Sequence, residues 1–267
     1  MRTTLNFIGA ALLALFTSSC LEHTATISLN KDGSGTITEE TLFSAEASAM
    51  MAQMAAGGGE DPTAKFADAG KAAETAAKMG EGVTVEKTEA ISKDGRKGGR
   101  VVYKFADINK VTYGFGKSMA DAGNDMGPPG GEKPEDKPMT FKYADGVLTL
   151  ANPDQKADAK PAEGGDAPDD EEPDAQSLAM MQGVFKDMKM ALKVTAPGGI
   201  AGTNATFADG DTVTLMEIAF GKLIADPANM KKLNAMKDSS PAQVAAAFKD
   251  VDGLKIETKD EVTVKLK

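Results

Sequence analysis

Apolar and polar positions divide the chain into short alternating stretches and a few helical ones. Thr24–Asn30 places Ala25, Ile27 and Leu29 on one face, and Gly35–Phe43 alternates through Ile37 and Leu42. A period of two marks a half-buried strand. Between them, Lys31-Asp32-Gly33-Ser34 offers Asp-Gly, which suits a tight turn with positive φ. These features predict a β-hairpin. The same signals predict a second hairpin from Gly82–Ile91 and Arg100–Phe105 around Asp94-Gly95, and a third over Met139–Leu150 around Asp145-Gly146. Met190, Leu192 and Val194 read as a strand ended by Pro197-Gly198-Gly199. Further strands are expected at Thr212–Ile218, Gly253–Glu257 and Glu261–Lys267.

Helix signals fall between these strands. Ser44 caps a helix carrying Met50, Met51 and Met54, which Gly57-Gly58-Gly59 stops. Asp61-Pro62 joins an N-cap residue to a proline at the first helical position, opening an Ala-rich helix to about Met79. Its apolar face reads Phe66, Ala69, Ala73 and Ala76. Asp174 caps a helix with Leu178, Met181, Val184, Phe185 and Met188 on one stripe. Asp226-Pro227 and Ser240-Pro241 repeat the cap-plus-proline device before two short helices. The expected architecture is α+β: a mainly antiparallel sheet with helix pairs packed on one face and long flexible acidic or Gly-Pro loops. No repeat of fixed period is present.

Two segments have no such pattern. Residues 120–138 hold four Gly and four Pro among charges, which reads as a long loop. Residues 152–175 hold nine Asp or Glu, two Lys and four Pro, which reads as a disordered acidic linker or insertion. The regions 20–151 and 176–267 are taken as one fold. The helices before the linker have too little apolar surface to close a core alone.

Composition narrows the chemistry. Leu, Val, Phe and Ile make up only 49 of 267 residues, so parts of the chain are expected to be loosely packed. The formal charge of −10 disfavours a nucleic-acid partner, whose phosphates need Lys and Arg. One Cys excludes an internal disulfide, and one His excludes the usual zinc and Ser-His-Asp arrangements. No cofactor or metal is expected.

The amino end carries an address. Arg2 precedes an apolar run from Phe7 to Phe16, followed by the small Thr17, Ser18 and Ser19. Ten apolar residues rise only about 15 Å as a helix, half of a bilayer core, so residues 1–19 read as a secretory signal peptide. Cys20, the only Cys, comes next. This placement resembles the lipobox of bacterial lipoproteins, with Thr17 where the usual pattern has Leu. The resemblance implies acylation of Cys20, as by palmitate, and attachment to the membrane through that lipid. Leu21 follows the Cys where an inner-membrane sorting signal has Asp, which implies the outer membrane, with the body facing the periplasm. Arg2 is the only charge in residues 1–19, so the mature body is one unit more acidic than the whole.

Other candidate sites have plain competing readings. Asn30 to Thr41 resembles the calcium loop of the EF-hand family, with Asn30, Asp32, Ser34 and Thr36 as oxygen ligands and Gly35 at the sharp turn. Position one is Asn, however, and Thr41 stands where a bidentate Glu is required, so a hairpin turn is the expectation. His23 is read as an exposed or half-packed side chain near the anchor. Carboxylate pairs are abundant, but no Trp and three Tyr make a poor sugar platform, so no enzymatic activity is expected. Fifteen Met invite comparison with adaptable binding faces, and Met181, Phe185 and Met188 are the best case for a hydrophobic ligand face. Asn204-Ala-Thr206 fits a glycosylation sequon.

A Cys, then a hairpin of the form TxxLxKDGSGTIT over Thr26–Thr38, then helices and a closing strand resembles the LppM-type lipoprotein domain family. The likeness covers mainly Cys20–Phe43 and the last strand. It implies an α+β module at a bacterial envelope. The function expected is a membrane-anchored, non-catalytic binding or structural module with a lipid or protein partner. The alternatives are a carrier of hydrophobic ligands using the Met faces and a carboxylate-based hydrolase.

Overall fold

The computed structural model describes residues 21–56, 63–116, 118, 138–151, 186–226, 228–229, 232–233, 236, 239 and 241–267. Strand β1 (Leu21–Leu29) alternates through its whole length, burying Leu21, His23, Ala25, Ile27 and Leu29. It therefore begins three residues before the expected start at Thr24. Strand β2 (Gly35–Phe43) pairs with it antiparallel, Leu21 opposite Phe43 and Leu29 opposite Gly35. Strands β3 (Thr84–Lys93) and β4 (Arg96–Phe105) form the second hairpin, and β6 (Met139–Ala144) and β7 (Val147–Ala151) the third. Both turns place an Asp and a Gly at positive φ: Asp94 at 53° with Gly95 at 78°, and Asp145 at 53° with Gly146 at 76°. That pair of conformations matches the right-handed twist of the flanking strands.

The remaining strands are β5 (Thr112–Tyr113), β8 (Lys189–Thr195), β9 (Ile200–Thr203), β10 (Ala208–Asp209), β11 (Thr212–Ala219), β12 (Leu254–Ile256) and β13 (Glu261–Leu266). The α+β class and the antiparallel majority are as expected. The number of sheets is not: the strands form two. One has the order β10-β11-β8-β1-β2-β4-β3 with β12 on β11, and the other β5-β6-β7-β13-β9. The larger sheet is mixed, because β1 and β8 run parallel, Glu22 opposite Lys189. Both sheets draw strands from either side of residues 152–175.

One apolar cluster joins the two sheets. It takes Ile27, Ile37, Phe105, Val194 and Val213 from the larger sheet and Phe141, Leu148, Leu150, Val262 and Val264 from the smaller. Helix α2 (Ala69–Met79) adds Ala72, Ala76 and Met79 to it. This corrects the expected face. The helix starts at Ala69, where Asp68 accepts the Lys71 amide at 2.7 Å, so its phase differs and Ala69 and Ala73 are exposed. Residues 64–67 form a 3-10 turn instead. Asp61-Pro62 lies outside the described residues.

Helix α1 (Ala45–Ala56) is capped by Ser44 as expected, the hydroxyl accepting the Ala47 amide at 3.1 Å. It seats Ala47 and Met51 on Leu21, Phe43 and Phe66 in a small separate cluster. Between β11 and β12, helices α3 (Phe220–Leu223) and α4 (Pro241–Ala247) close a third cluster around Leu223, Ile224 and Phe248. Asp226 accepts the Ala228 amide at 2.9 Å, and α4 opens at Pro241, both as the cap-plus-proline reading expects. The loop at 120–138, apart from Pro138, the segment 152–175, and the helix from Asp174 to Phe185 lie outside the described residues. Met188, expected at the end of that helix, stands outside any helix just before β8.

Candidate functional site

The inward face of β1 and β2 is apolar except for one stretch between the Leu21–Phe43 pair and the Ile27–Ile37 pair. There His23 lies opposite Thr41, and Glu39 lies opposite Ala25. His23 is only 1% exposed, which corrects the reading of an exposed or half-packed side chain. Its Nδ1 lies 2.9 Å from Thr41 Oγ1 and its Nε2 3.4 Å from Ser118 Oγ. The Ser118 hydroxyl donates to Glu39 Oε1 at 2.6 Å, and the Tyr113 hydroxyl donates to the same oxygen at 2.7 Å. With its proton directed at Glu39, Ser118 can only accept from His23. The imidazole then carries its hydrogen on Nε2, and Nδ1 accepts from Thr41.

His23, Glu39, Thr41 and Ser118 line a cavity of about 110 Å³ between β1, β2, β4 and α2, with Thr75 and Tyr103 on its walls and Lys65, Phe66, Asp68 and Lys71 at its rim. Burial lowers the pKa of His23 from 6.5 to about 4, so the ring is neutral at neutral pH. Burial, then the charge of Glu39, pushes the phenols of Tyr113 and Tyr103 well up, so both remain donors. Phe115 covers the imidazole with ring centroids 5.4 Å apart.

The Ser118, His23 and Glu39 trio is not arranged as a nucleophilic triad. In a triad the carboxylate holds the far nitrogen of the imidazole and stabilises its charged form. Here the carboxylate takes the serine proton directly and the far nitrogen meets a neutral hydroxyl. A buried neutral ring without an anionic partner is a weak base. The cavity instead offers hydroxyl donors and acceptors to a small polar molecule.

Gly99 shapes the cavity wall. A Cβ there would stand 2.3 Å from the carbonyl oxygen of Phe66 and 2.7 Å from its Cβ, so the 3-10 turn rests directly on β4. Gly99→Val will destabilise the fold by about 3 kcal/mol through overpacking, read as a lower urea midpoint at unchanged slope.

The other sequence candidates fall into place separately. Cys20, Met181 and Phe185 lie outside the described residues. Leu21 is buried in the α1 cluster, and Met188 is half-buried, its carbonyl accepting the Phe220 amide at 3.0 Å. The calcium-like loop is a hairpin turn. Asp32 Oδ1 accepts from the Ser34 hydroxyl at 2.6 Å and amide at 3.0 Å, which hold its carboxyl below the usual range. Thr41 points inward at His23, away from that turn. Among the described residues no three His, Cys, Asp or Glu side chains converge as metal ligands. Asn204 is consumed structurally, accepting the Thr263 amide at 2.8 Å and donating to the Glu261 carbonyl at 3.1 Å.

One buried polar group went unread in the sequence. Glu257, 1% exposed, accepts from the Thr206 amide at 2.5 Å, the Thr206 hydroxyl at 3.1 Å and the Thr258 and Lys259 amides at 3.0 and 3.2 Å. Burial alone would raise its pKa. The Thr206 and Lys259 amides, with the Thr206 hydroxyl and Lys259 charge, outweigh burial and lower it.

No family model matches the chain, and no curated protein matches it. Among solved structures, the chain is similar to the folded domain of the LppM protein of Mycobacterium tuberculosis, solved by NMR. The likeness covers 76% of this chain and 85% of that one at 12% identity, with a TM-score of 0.33.

Proposed function

We propose that this chain is a bacterial lipoprotein, anchored by acylated Cys20, whose body is a non-catalytic binding module at the cell envelope. The observation that carries the reading is the join between the lipobox-like run and the fold. Strand β1 begins at Leu21, directly after the Cys, so cleavage before Cys20 leaves every described strand of both sheets in place. Among the described residues no helix is long and apolar enough to cross a bilayer, so attachment rests on the lipid. Leu21 in place of Asp favours the outer membrane. The His23 cavity, lined by hydroxyls and the carboxylates of Glu39 and Asp68, supports a small polar ligand over a catalytic role.

The test is the intact mass of the protein extracted from membranes, beside the fractionation of Cys20→Ala. The expected mass is that of residues 20–267 plus acyl and glyceryl groups, with the variant lost from the membrane fraction. An unmodified Cys20 in a protein free of the membrane would overturn the anchoring.

A further inference from the structure

The join at Leu21 also fixes how the body meets the bilayer. We infer that the protein stands end-on, with α1 and the adjoining strand ends held against anionic lipid headgroups. This rests on the acylation of Cys20 proposed above. A flexible tether would let any face meet the membrane. Here no tether exists, because the residue bonded to Cys20 is already paired with Phe43 and buried in a packed cluster. Adjacent Cα atoms lie about 3.8 Å apart, so the lipid enters within one residue of that cluster.

The surroundings of this point fit a lipid surface. Register places the start of β1, the end of β2 and the starts of β4 and β8 at the same end, since Phe43 lies opposite Lys97 and Glu22 opposite Lys189. Helix α1 leaves from Ser44 and is fixed there, its Ser48 hydroxyl accepting the Lys97 amide at 3.0 Å. In a chain with 26% charged residues, α1 carries one ionisable side chain, Glu46, in twelve residues. Among its residues with described side chains, the other exposed positions are Ala45, Ala49, Ala52, Gln53 and Ala56. Such a surface loses little on leaving water. Exposed Lys93, Lys97 and Lys186 flank it. Of the carboxylates there, Glu22 pairs with Arg96 and Glu46 with Lys186, leaving Asp94 in the turn and Asp187 beside Lys186. Lys93 and Lys97, beside a helix whose one charge is already paired, suit anionic headgroups. The nine residues of β1 then lift the turn at 30–34 about 30 Å from the surface.

The experiment uses the full acylated protein in vesicles of phosphatidylethanolamine and phosphatidylglycerol. Because acylation consumes the only Cys, an added thiol takes a fluorophore alone. Ala49→Cys and Ala52→Cys report the near end, and Lys31→Cys the far turn. Headgroup-level spin-labelled lipid is expected to quench both near probes severalfold more than the far one. Equal quenching at the two ends, in protein that still floats with the vesicles, overturns the end-on pose and leaves the anchor standing. Protein that does not float overturns both.

Discussion

Acidifying the protein from pH 6.5 to pH 4 will remove about 3 kcal/mol of unfolding free energy through His23 alone. The ring has a folded pKa of about 4 against 6.5 when exposed, a difference worth at most about 1.4 kcal/mol per unit. Between those values the unfolded chain binds a proton that the folded chain does not, so stability rises with pH and falls on acidification. Only the part of the window above about pH 5 is clear of most carboxylate titrations, so below it the comparison with a His23 variant separates the two effects. Urea unfolding across this range should show a pH slope in the parent that His23→Asn lacks. Asn can keep the contact to Thr41 without titrating. Parallel slopes in the two proteins would overturn the assignment. The single imidazole gives an independent readout, since its proton NMR signal should stay at the neutral position until about pH 4.

Glu257→Ala will cost about 4 kcal/mol, more than most single substitutions. The carboxylate collects the amides of Thr206, Thr258 and Lys259 and thereby ties the loop after β9 to the loop between β12 and β13. Hydrogen bonds to a charged group contribute about 1.5–3 kcal/mol each, and buried donors left without an acceptor add to the loss. Glu257→Gln keeps one carbonyl oxygen and should lose about half as much. Thermal and urea unfolding of the three proteins would check the order. A parent-like Glu257→Ala would show that the network contributes nothing net. Because its carboxyl is held below the ordinary range, this contribution is present above the unfolded pKa and disappears as pH falls through the folded one.

Much of the strand content was legible because three hairpins combine alternation with an Asp-Gly turn, and those two signals reinforce each other locally. His23 was misread through a boundary. Starting the first strand at Thr24 leaves His23 outside, whereas extending the alternation back through Leu21 puts it inside and between Leu21 and Ala25. The helix face failed for a related reason: cap residues stand at both Asp61 and Asp68, and the choice between them rotates every alanine that follows. The cavity was not legible at all. Glu39, Thr75, Tyr103 and Ser118 are far apart along the chain, and only the pairing of β1, β2 and β4 gathers them. Glu257 gave no signal either, since Glu-Thr-Lys-Asp reads as a solvated turn until the loop at 204–206 folds onto it.

The parallel partnership of β1 and β8 has a consequence for how the molecule is made. Loop-closure entropy must be overcome before distant strands are rewarded for meeting, so sheets with non-local neighbours fold slowly. When a chain emerges amino end first, the β1–β2 hairpin forms early while the strand that completes its other edge is still to come. Until Lys189–Thr195 arrives, the backbone groups of Glu22–Ser28 offer a long, unpaired template to any neighbouring nascent chain. The most aggregation-prone species of this protein is thus a half-made one, in which Glu22–Ser28 is paired along one edge only.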